Sequence, residues 1–207
     1  MNLNKAAMFG LDARIALAIF GALSVISGAA LYSAIQEAKA RAAYQNLLEM
    51  GKAMESYYVD TGHFIYRVSQ TSVDLESVNL IENTHSENSW NGPYLQGEKS
   101  TNYVKTAFTK SLGSNVVFKP YIFKSSDWPS SGSDFCVSSQ PYDCSVYVGL
   151  YSLTVSEHDS VNNLFTLLDS SYDNSDGGDK GIIRDCAYSG TNVCIKYMPI
   201  IRSNLSY

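Results

Sequence analysis

The stretch Ile15–Ile35 reads IALAIFGALSVISGAALYSAI, 21 residues without a charge, bracketed by Arg14 and Glu37. An α-helix needs roughly 20 apolar residues to cross the hydrocarbon core of a bilayer. This run therefore constrains the chain before anything else does. A cleaved secretory signal predicts a shorter apolar core, about 7–15 residues, then a small-residue cleavage site and a break in structure. Here a helical pattern continues instead. Ile35, Ala38, Ala42, Leu48, Gly51, Met54 and Tyr58 recur at three- and four-residue steps, with two steps between Ala42 and Leu48. Glu37, Lys39, Arg41, Gln45, Glu49, Lys52 and Glu55 fill the opposite face. No proline intervenes before Pro93. The spacing predicts one helix from about Leu11 to Tyr58, roughly 70 Å at 1.5 Å per residue. A plain transmembrane anchor accounts for the run but not for the residues ahead of it.

Composition adds a contrast. Fifteen Lys and Arg against 20 Asp and Glu give a net charge of −5. That balance argues against a nucleic-acid partner, which would want a basic face. Charged residues are 17% of the chain, against about 25% in an ordinary soluble domain. The mean hydropathy of −0.12 averages two unlike parts: the apolar block, and a body rich in Ser, Asn and Tyr.

The start of the chain carries a second signal. Met1-Asn-Leu-Asn-Lys5-Ala-Ala7 is short and holds one positive charge, and Met8-Phe-Gly-Leu-Asp12 leads into the apolar run. A lone carboxylate such as Asp12 inside an apolar segment is costly and is usually paired and functional. The arrangement resembles the N-terminus of type IV pilins and pseudopilins. In that family a prepilin peptidase removes a short basic leader and methylates the new N-terminus, and an acid, usually Glu, is the fifth residue of the mature chain. The family's Gly after two apolar residues matches Ile19-Phe20-Gly21. That register makes Met8 the first mature residue and Asp12 the fifth, with cleavage between Ala7 and Met8. Cleavage after Gly10 would instead place Ile15 fifth, without a carboxylate. Ala7 stands where Gly is usual, and Asp12 where Glu is usual. Ser27-Gly28-Ala29-Ala30 occupies the place of the family's mid-segment Pro, which leaves Gly21 and Gly28 as the weak points of the helix.

The resemblance implies a mechanism for Asp12. A carboxylate buried among apolar helices needs a positive partner, and the N-terminal amine of a neighbouring subunit would supply it, fixing axial register. The alternative is that Asp12 is a local counter-ion of Arg14.

Further on, Met54-Glu-Ser-Tyr57-Tyr58-Val-Asp60-Thr-Gly62-His63-Phe64 carries helix-stopping chemistry, with Gly62 expected at positive φ. The same aromatic, acid and Gly closure resembles pilins. Residues 65–100 read as a polar loop with one short helix near Val73–Leu80. Within it Trp90-Asn-Gly-Pro93-Tyr94-Leu95 is a turn whose aromatics pack inward. It also resembles the Trp-x-Gly-Pro-Tyr-Leu segment of the major pseudopilin of type II secretion. Val116–Phe123 and Ser145–Val155 read as strands, the first an edge or bulged strand because of Pro120. Val161, Leu164, Phe165 and Leu168 predict a short amphipathic helix capped by Asp159 or Ser160. Gly181–Arg184 and Val193–Ile201 read as two more strands. The expected fold is α+β: a long N-terminal helix packed on an antiparallel sheet of four or so strands, which is the pilin ladle. The expected divisions are leader 1–7, filament-core helix 8–36, amphipathic helix half 37–62 and head 63–207, with a loop at 63–102 and the sheet and C-terminal loops at 103–207.

The four cysteines all lie in the head, and each sequence-adjacent pair has seven residues between its members. Three connectivities are open. The reading favoured here is Cys136–Cys144 and Cys186–Cys194, each closing a local turn, with free thiols as the alternative. Zinc would prefer Cys-x-x-Cys, which is absent. Disulfides imply a periplasmic or extracellular head. The stretch Asp169–Gly181 concentrates acids and glycines, whose oxygens suit calcium. Asp173, Asp176 and Asp179 are the expected ligands, and a solvated turn is the alternative. The same segment, with Gly181-Ile-Ile-Arg184 as its tail, resembles an acidic stretch of pilin-like proteins, some of which bind calcium there.

Enzyme signatures are missing. His63, His85 and His158 lie in polar surroundings without metal spacing, and no phosphate loop, dinucleotide fingerprint or Gly-x-Ser-x-Gly occurs. No catalytic residue is expected. The resemblance implies a filament subunit whose partners are copies of itself or other pilins, the prepilin peptidase, an inner-membrane assembly platform and membrane lipid. It implies a single-pass inner-membrane precursor that later enters an extracellular pilus or periplasmic pseudopilus. The rival reading is a membrane-anchored periplasmic binding or adhesive domain that never polymerises.

Overall fold

The computed structural model describes residues 4–69, 72–128, 136, 143–186 and 192–200, the side chains of residues 4–9, 11, 199 and 200 excepted. The protein is α+β, with a long N-terminal helix followed by an antiparallel sheet. The chain divides into two compact units, Met1–Lys39 and Ala40–Tyr207. Helix α1, Asn4–Thr61, begins in the first and ends in the second. It starts earlier than the expected Leu11 and stops three residues beyond Tyr58. In the first unit Ile15, Leu17, Ile19, Phe20, Leu23, Val25, Ile26, Leu31, Tyr32 and Ile35 are all exposed. This helix is long and apolar enough to cross a membrane.

In the second unit α1 buries Ala40, Ala43, Leu47, Met50, Met54 and Tyr57. Steps of three and four keep these side chains on one stripe. The stripe is rotated from the one expected: Ala42 is exposed and Leu48 and Tyr58 are only half-buried. Alanines make this helix apolar over much of its circumference, so the bulkier Leu47, Met50 and Tyr57 choose the face. Gly62, at φ 80°, ends the helix, and its amide donates to the Tyr58 carbonyl (2.8 Å).

Among the described residues the sheet has seven strands where about four were expected. They are β1 Glu98–Ser100, β2 Tyr103–Lys105, β3 Val116–Phe118, β4 Tyr121–Lys124, β5 Cys144–Ser152, β6 Ile183–Arg184 and β7 Asn192–Ile200. The order is β1-β2-β3-β5-β7-β6, with β4 also paired to β5. Every pairing is antiparallel, and the long β5–β7 pair sets Gly149 opposite Cys194. The run Val116–Phe123 is two strands rather than one. Pro120 has no N–H to give to a ladder, so the chain breaks there and resumes on the same partner strand. Strands β1 and β2 are too short and polar to stand out in the sequence.

The expected helix at Val73–Leu80 is a single 3₁₀ turn, Ser77–Leu80. A helix α2, Ala107–Leu112, lies in a stretch read only as strand-rich. Its signal was Thr106-x-x-Thr109, which closes a reciprocal cap: each side chain accepts from the other residue's amide. Helix α3, His158–Tyr172, is longer than expected. Its N-cap is Glu157, without a side-chain capping bond, rather than Asp159 or Ser160. The Glu157 carboxylate is drawn away to the amide of Asn115 (2.9 Å).

One core joins these parts. Leu47, Met54, Leu75, Phe118, Ile122, Val148, Leu164, Leu168 and Val193 belong to a single buried cluster. Cys136 is bonded to Cys144 and Cys186 to Cys194, both across eight positions of sequence. Loops that short stabilise by about 2.5 kcal/mol each in the chain-entropy account.

Candidate functional site

The backbone of Ala7 and Met8 lies within α1, and their side chains fall outside the described residues. Asp12 stands exposed on the same helix, three residues before the apolar run. It forms no ion pair with Arg14, although both are described. Two residues apart on a helix, the pair point to different faces. The local counter-ion account of Asp12 therefore has no contact behind it.

The second candidate lies at the end of α3. Asp169 and Asp173 are four apart, so the helix sets them on one face. Beyond Tyr172 the chain turns back through Asn174 (φ 57°) and Ser175 (φ 55°). Both are in the left-handed region that Asn tolerates better than most residues. The amides of Asp173 and Ser175 both donate to the Asp169 carbonyl, at 2.9 and 3.2 Å. The turn brings Asp176 over the helix end. One carboxylate oxygen from each of Asp169, Asp173 and Asp176 lies within 4.8 Å of the others.

These three differ from the expected set. Asp169 replaces Asp179, whose main-chain carbonyl accepts from the Trp128 amide (2.8 Å) while its carboxylate stays out of the group. The sequence signal for Asp169 was its spacing of four from Asp173, visible only once α3 is known to run past Leu168.

The three carboxylates are not alike. Asp173 is buried, and its Oδ2 accepts from the amides of Ile182 and Ile183, both at 2.6 Å. Asp169 is 7% exposed, and its Oδ1 has no hydrogen-bond partner. Burial pushes its carboxyl above the usual range, and the charges of Asp176 and Asp173 push the same way; backbone bonds from Gly177 and Asp176 oppose them. The carboxyl of Asp176 is also raised, first by desolvation and then by Asp173 and Asp127, against the pull of Lys180 and Arg184. A buried acceptor left empty costs about 1–3 kcal/mol. Two crowded acids with an orphaned oxygen between helix and turn are what a hard divalent cation relieves.

The remaining expected residues fall elsewhere. Trp90 and Tyr94 fasten the loop after α1: Trp90 Nε1 donates to the Asn79 carbonyl (2.9 Å), and the Tyr94 hydroxyl donates to Asp60 (2.8 Å). His63 and His85 are drawn into a cluster with Glu87, Glu76 and Tyr66 that no sequence spacing groups together. Family models, characterised proteins and solved structures were all compared with this chain, and none matches.

Proposed function

We propose that this chain is the structural subunit, pilin or pseudopilin, of a type IV pilus or type II secretion-type filament. The observation that carries the reading is the first unit. It is a helix whose large apolar side chains, among the described residues, are all exposed from Ile15 to Ile35, with one acid, Asp12, just ahead of the apolar run. Exposed apolar surface on this scale needs lipid or other helices around it. Lipid would hold the precursor, and neighbouring copies would hold the filament subunit. Asp12 would then pair with the amine of an adjacent subunit, and any other register would leave both charges buried and unpaired, a costly state. The second unit, with its two disulfides, suits an oxidising compartment. It would be the pilin-like head, the sheet covering the distal half of α1.

In the same reading the head binds calcium between Asp169, Asp173 and Asp176. The all-oxygen donor set fits a hard cation, and the orphaned Asp169 Oδ1 gives it an unsatisfied acceptor. Bound there, the ion would neutralise the crowded carboxylates and tie the turn to the end of α3.

Mass spectrometry of the N-terminus of the assembled protein tests the class. A methylated Met8 is expected, and an intact Met1 overturns the reading. Asp12→Ala then tests the mechanism. Membrane insertion should persist while filaments disappear. Filaments of normal yield from Asp12→Ala would remove the register role, and a processed chain that never polymerises would favour the anchored binding domain.

A further inference from the structure

His63 follows the C-terminus of α1 and has an unusual set of neighbours. Its Nδ1 lies 2.9 Å from the Phe64 carbonyl oxygen, and its Nε2 lies 3.3 Å from Glu87 Oε1. Both neighbours only accept. A neutral imidazole offers one N–H and one lone pair, whereas the imidazolium offers two N–H groups. Only the doubly protonated ring satisfies both contacts. The neutral ring must turn a lone pair towards the carbonyl or towards the carboxylate.

The ring has little freedom to avoid that choice. Tyr57 of α1 meets it edge-on at 5.7 Å, and Tyr66 does so from the loop at 5.3 Å. The His63 amide and carbonyl are both engaged by the Thr61 hydroxyl, at 3.5 and 3.0 Å. Phe64 is buried, so its carbonyl is a fixed point. The side that can yield is Glu87. It sits in a surface turn closed by Asn83, whose side chain bonds the Glu87 amide (2.8 Å) and carbonyl (2.9 Å). Three residues later comes Trp90, and then Tyr94 and Leu95, whose amides both donate to the Leu80 carbonyl at 2.7 and 3.2 Å. Glu87 thus ties this loop to His63, beside the Tyr94–Asp60 hydrogen bond that joins the same loop to the end of α1.

We propose that His63 is a proton-operated clasp that holds the loop bearing Glu87, Trp90 and Tyr94 against the end of α1. With both ring nitrogens protonated the ring bridges Phe64 and Glu87. Loss of one proton breaks one contact and releases Glu87 from His63, leaving its carboxylate held by Tyr66 alone. The inference concerns the head alone and is independent of filament assembly.

The other titratable groups around the ring are accounted for. Glu87 is held below the usual carboxylate range, chiefly by the hydrogen bond from Tyr66, so it stays charged across the neutral range. Tyr57, Tyr66 and Tyr94 are all raised and stay neutral there. The remaining carboxylates nearby are Asp60, bonded to Tyr94, and Glu76, which faces His85. His85 is the one other imidazole. It stacks on Tyr66 at 3.8 Å and faces Glu76 at 3.0 Å, so a variant must separate it from His63.

Hydrogen exchange of the full chain, corrected for intrinsic rates, reads the clasp at the amides of Tyr94 and Leu95. Protection should fall about tenfold between about pH 5.5 and about pH 8, the span in which histidines titrate. His63→Gln should show the weaker protection at both pH values. Glu87→Gln, which keeps a partner for Tyr66, should lose the pH response as well. His85→Gln should retain it. Equal protection of the natural protein at both pH values overturns the proposal, as does a pH response surviving in either His63→Gln or Glu87→Gln.

Discussion

Gly181 faces the carboxylate of Asp173 with no room for a side chain between them: a Cβ at position 181 would overlap both carboxylate oxygens. Gly181 also has φ 65°, which costs an L-residue about 1–2 kcal/mol. Gly181→Ala therefore incurs two penalties. It strains the backbone, and it drives Asp173 off the amides of Ile182 and Ile183. Hydrogen bonds to a charged group contribute about 1.5–3 kcal/mol. The expected loss is about 3–4 kcal/mol in denaturant unfolding. Gly62 is the control. Its φ is 80°, but nothing lies within 4 Å of its Cβ position, so Gly62→Ala should cost only the backbone part, about 1 kcal/mol. Equal costs at the two positions would mean that the Asp173 contact contributes nothing.

Asp169→Asn separates repulsion from metal binding. A carboxyl raised in the folded state opposes folding once it ionises. Its stability is fullest below the ordinary carboxylate range and is lost as pH rises through that range to the folded value. Without divalent cation at neutral pH, Asp169→Asn should be as stable as the natural protein or slightly more so. With calcium at about a hundred times Kd the natural protein should gain roughly 2.7 kcal/mol, and the variant much less. Calorimetry with chelator and with calcium gives both numbers. A natural protein indifferent to calcium would leave the three acids as a solvated turn.

Tyr66→Phe has a pH sign of its own. The Tyr66 hydroxyl donates to Glu87, and this bond is the main reason that the Glu87 carboxyl is depressed and the phenol pushed up to about 12. A depressed carboxyl contributes stability above its unfolded value, and that contribution is lost as pH falls through the lower, folded value. Tyr66→Phe should cost about 1–2 kcal/mol at neutral pH. The gap between variant and natural protein should close in acid, below the ordinary Glu value of about 4.3. A gap that stays constant down to about pH 3 would assign the loss to ring packing on His85 rather than to the hydrogen bond.

Local signals were readable and non-local ones were not. The 21-residue uncharged run and the Gly62 stop are properties of contiguous residues; they locate the end of α1 to within three residues, while its start lies seven residues before the expected Leu11. The buried stripe of α1 was misplaced because it depends on what the sheet offers, and alanines leave the helix several apolar faces. Pro120 announced an interruption but not that both halves would return to β5. Asp169 joined the acidic site only through the length of α3, which stretches on because Asp173 and Ser175 both find the Asp169 carbonyl. The cluster of His63, Glu87 and Tyr66 spans 24 positions from His63 to Glu87 and is made by loop closure. No window of sequence places those side chains together.

Arg184 supplies the sharpest contrast between a buried and an exposed partner. It is 1% exposed, and its guanidinium lies 4.6 Å from the Trp128 ring. Its Nε donates to the Gly181 carbonyl (2.9 Å), Nη1 to the Ser126 carbonyl (2.9 Å) and Nη2 to Asp127 (3.2 Å). These acceptors lie on different sides of a planar fork. The single ammonium of a lysine cannot reach all of them, nor can it stack on Trp128. Arg184→Lys should therefore lose about 3 kcal/mol, the scale of disrupting a buried charge network, and shift the Trp128 fluorescence as the ring loses its cover. Asp127 is the acid of the pair, but its side chain is 67% exposed. Water already screens it, and Asp127→Ala should cost less than about 1 kcal/mol. Urea unfolding of the two variants decides the matter. If they lose equal stability, the ion pair rather than the carbonyl and ring contacts holds Arg184. If Asp127→Ala is nearly silent, the carbonyls of Gly181 and Ser126 fix the arginine, and through Gly181 they hold the turn that orients Asp173.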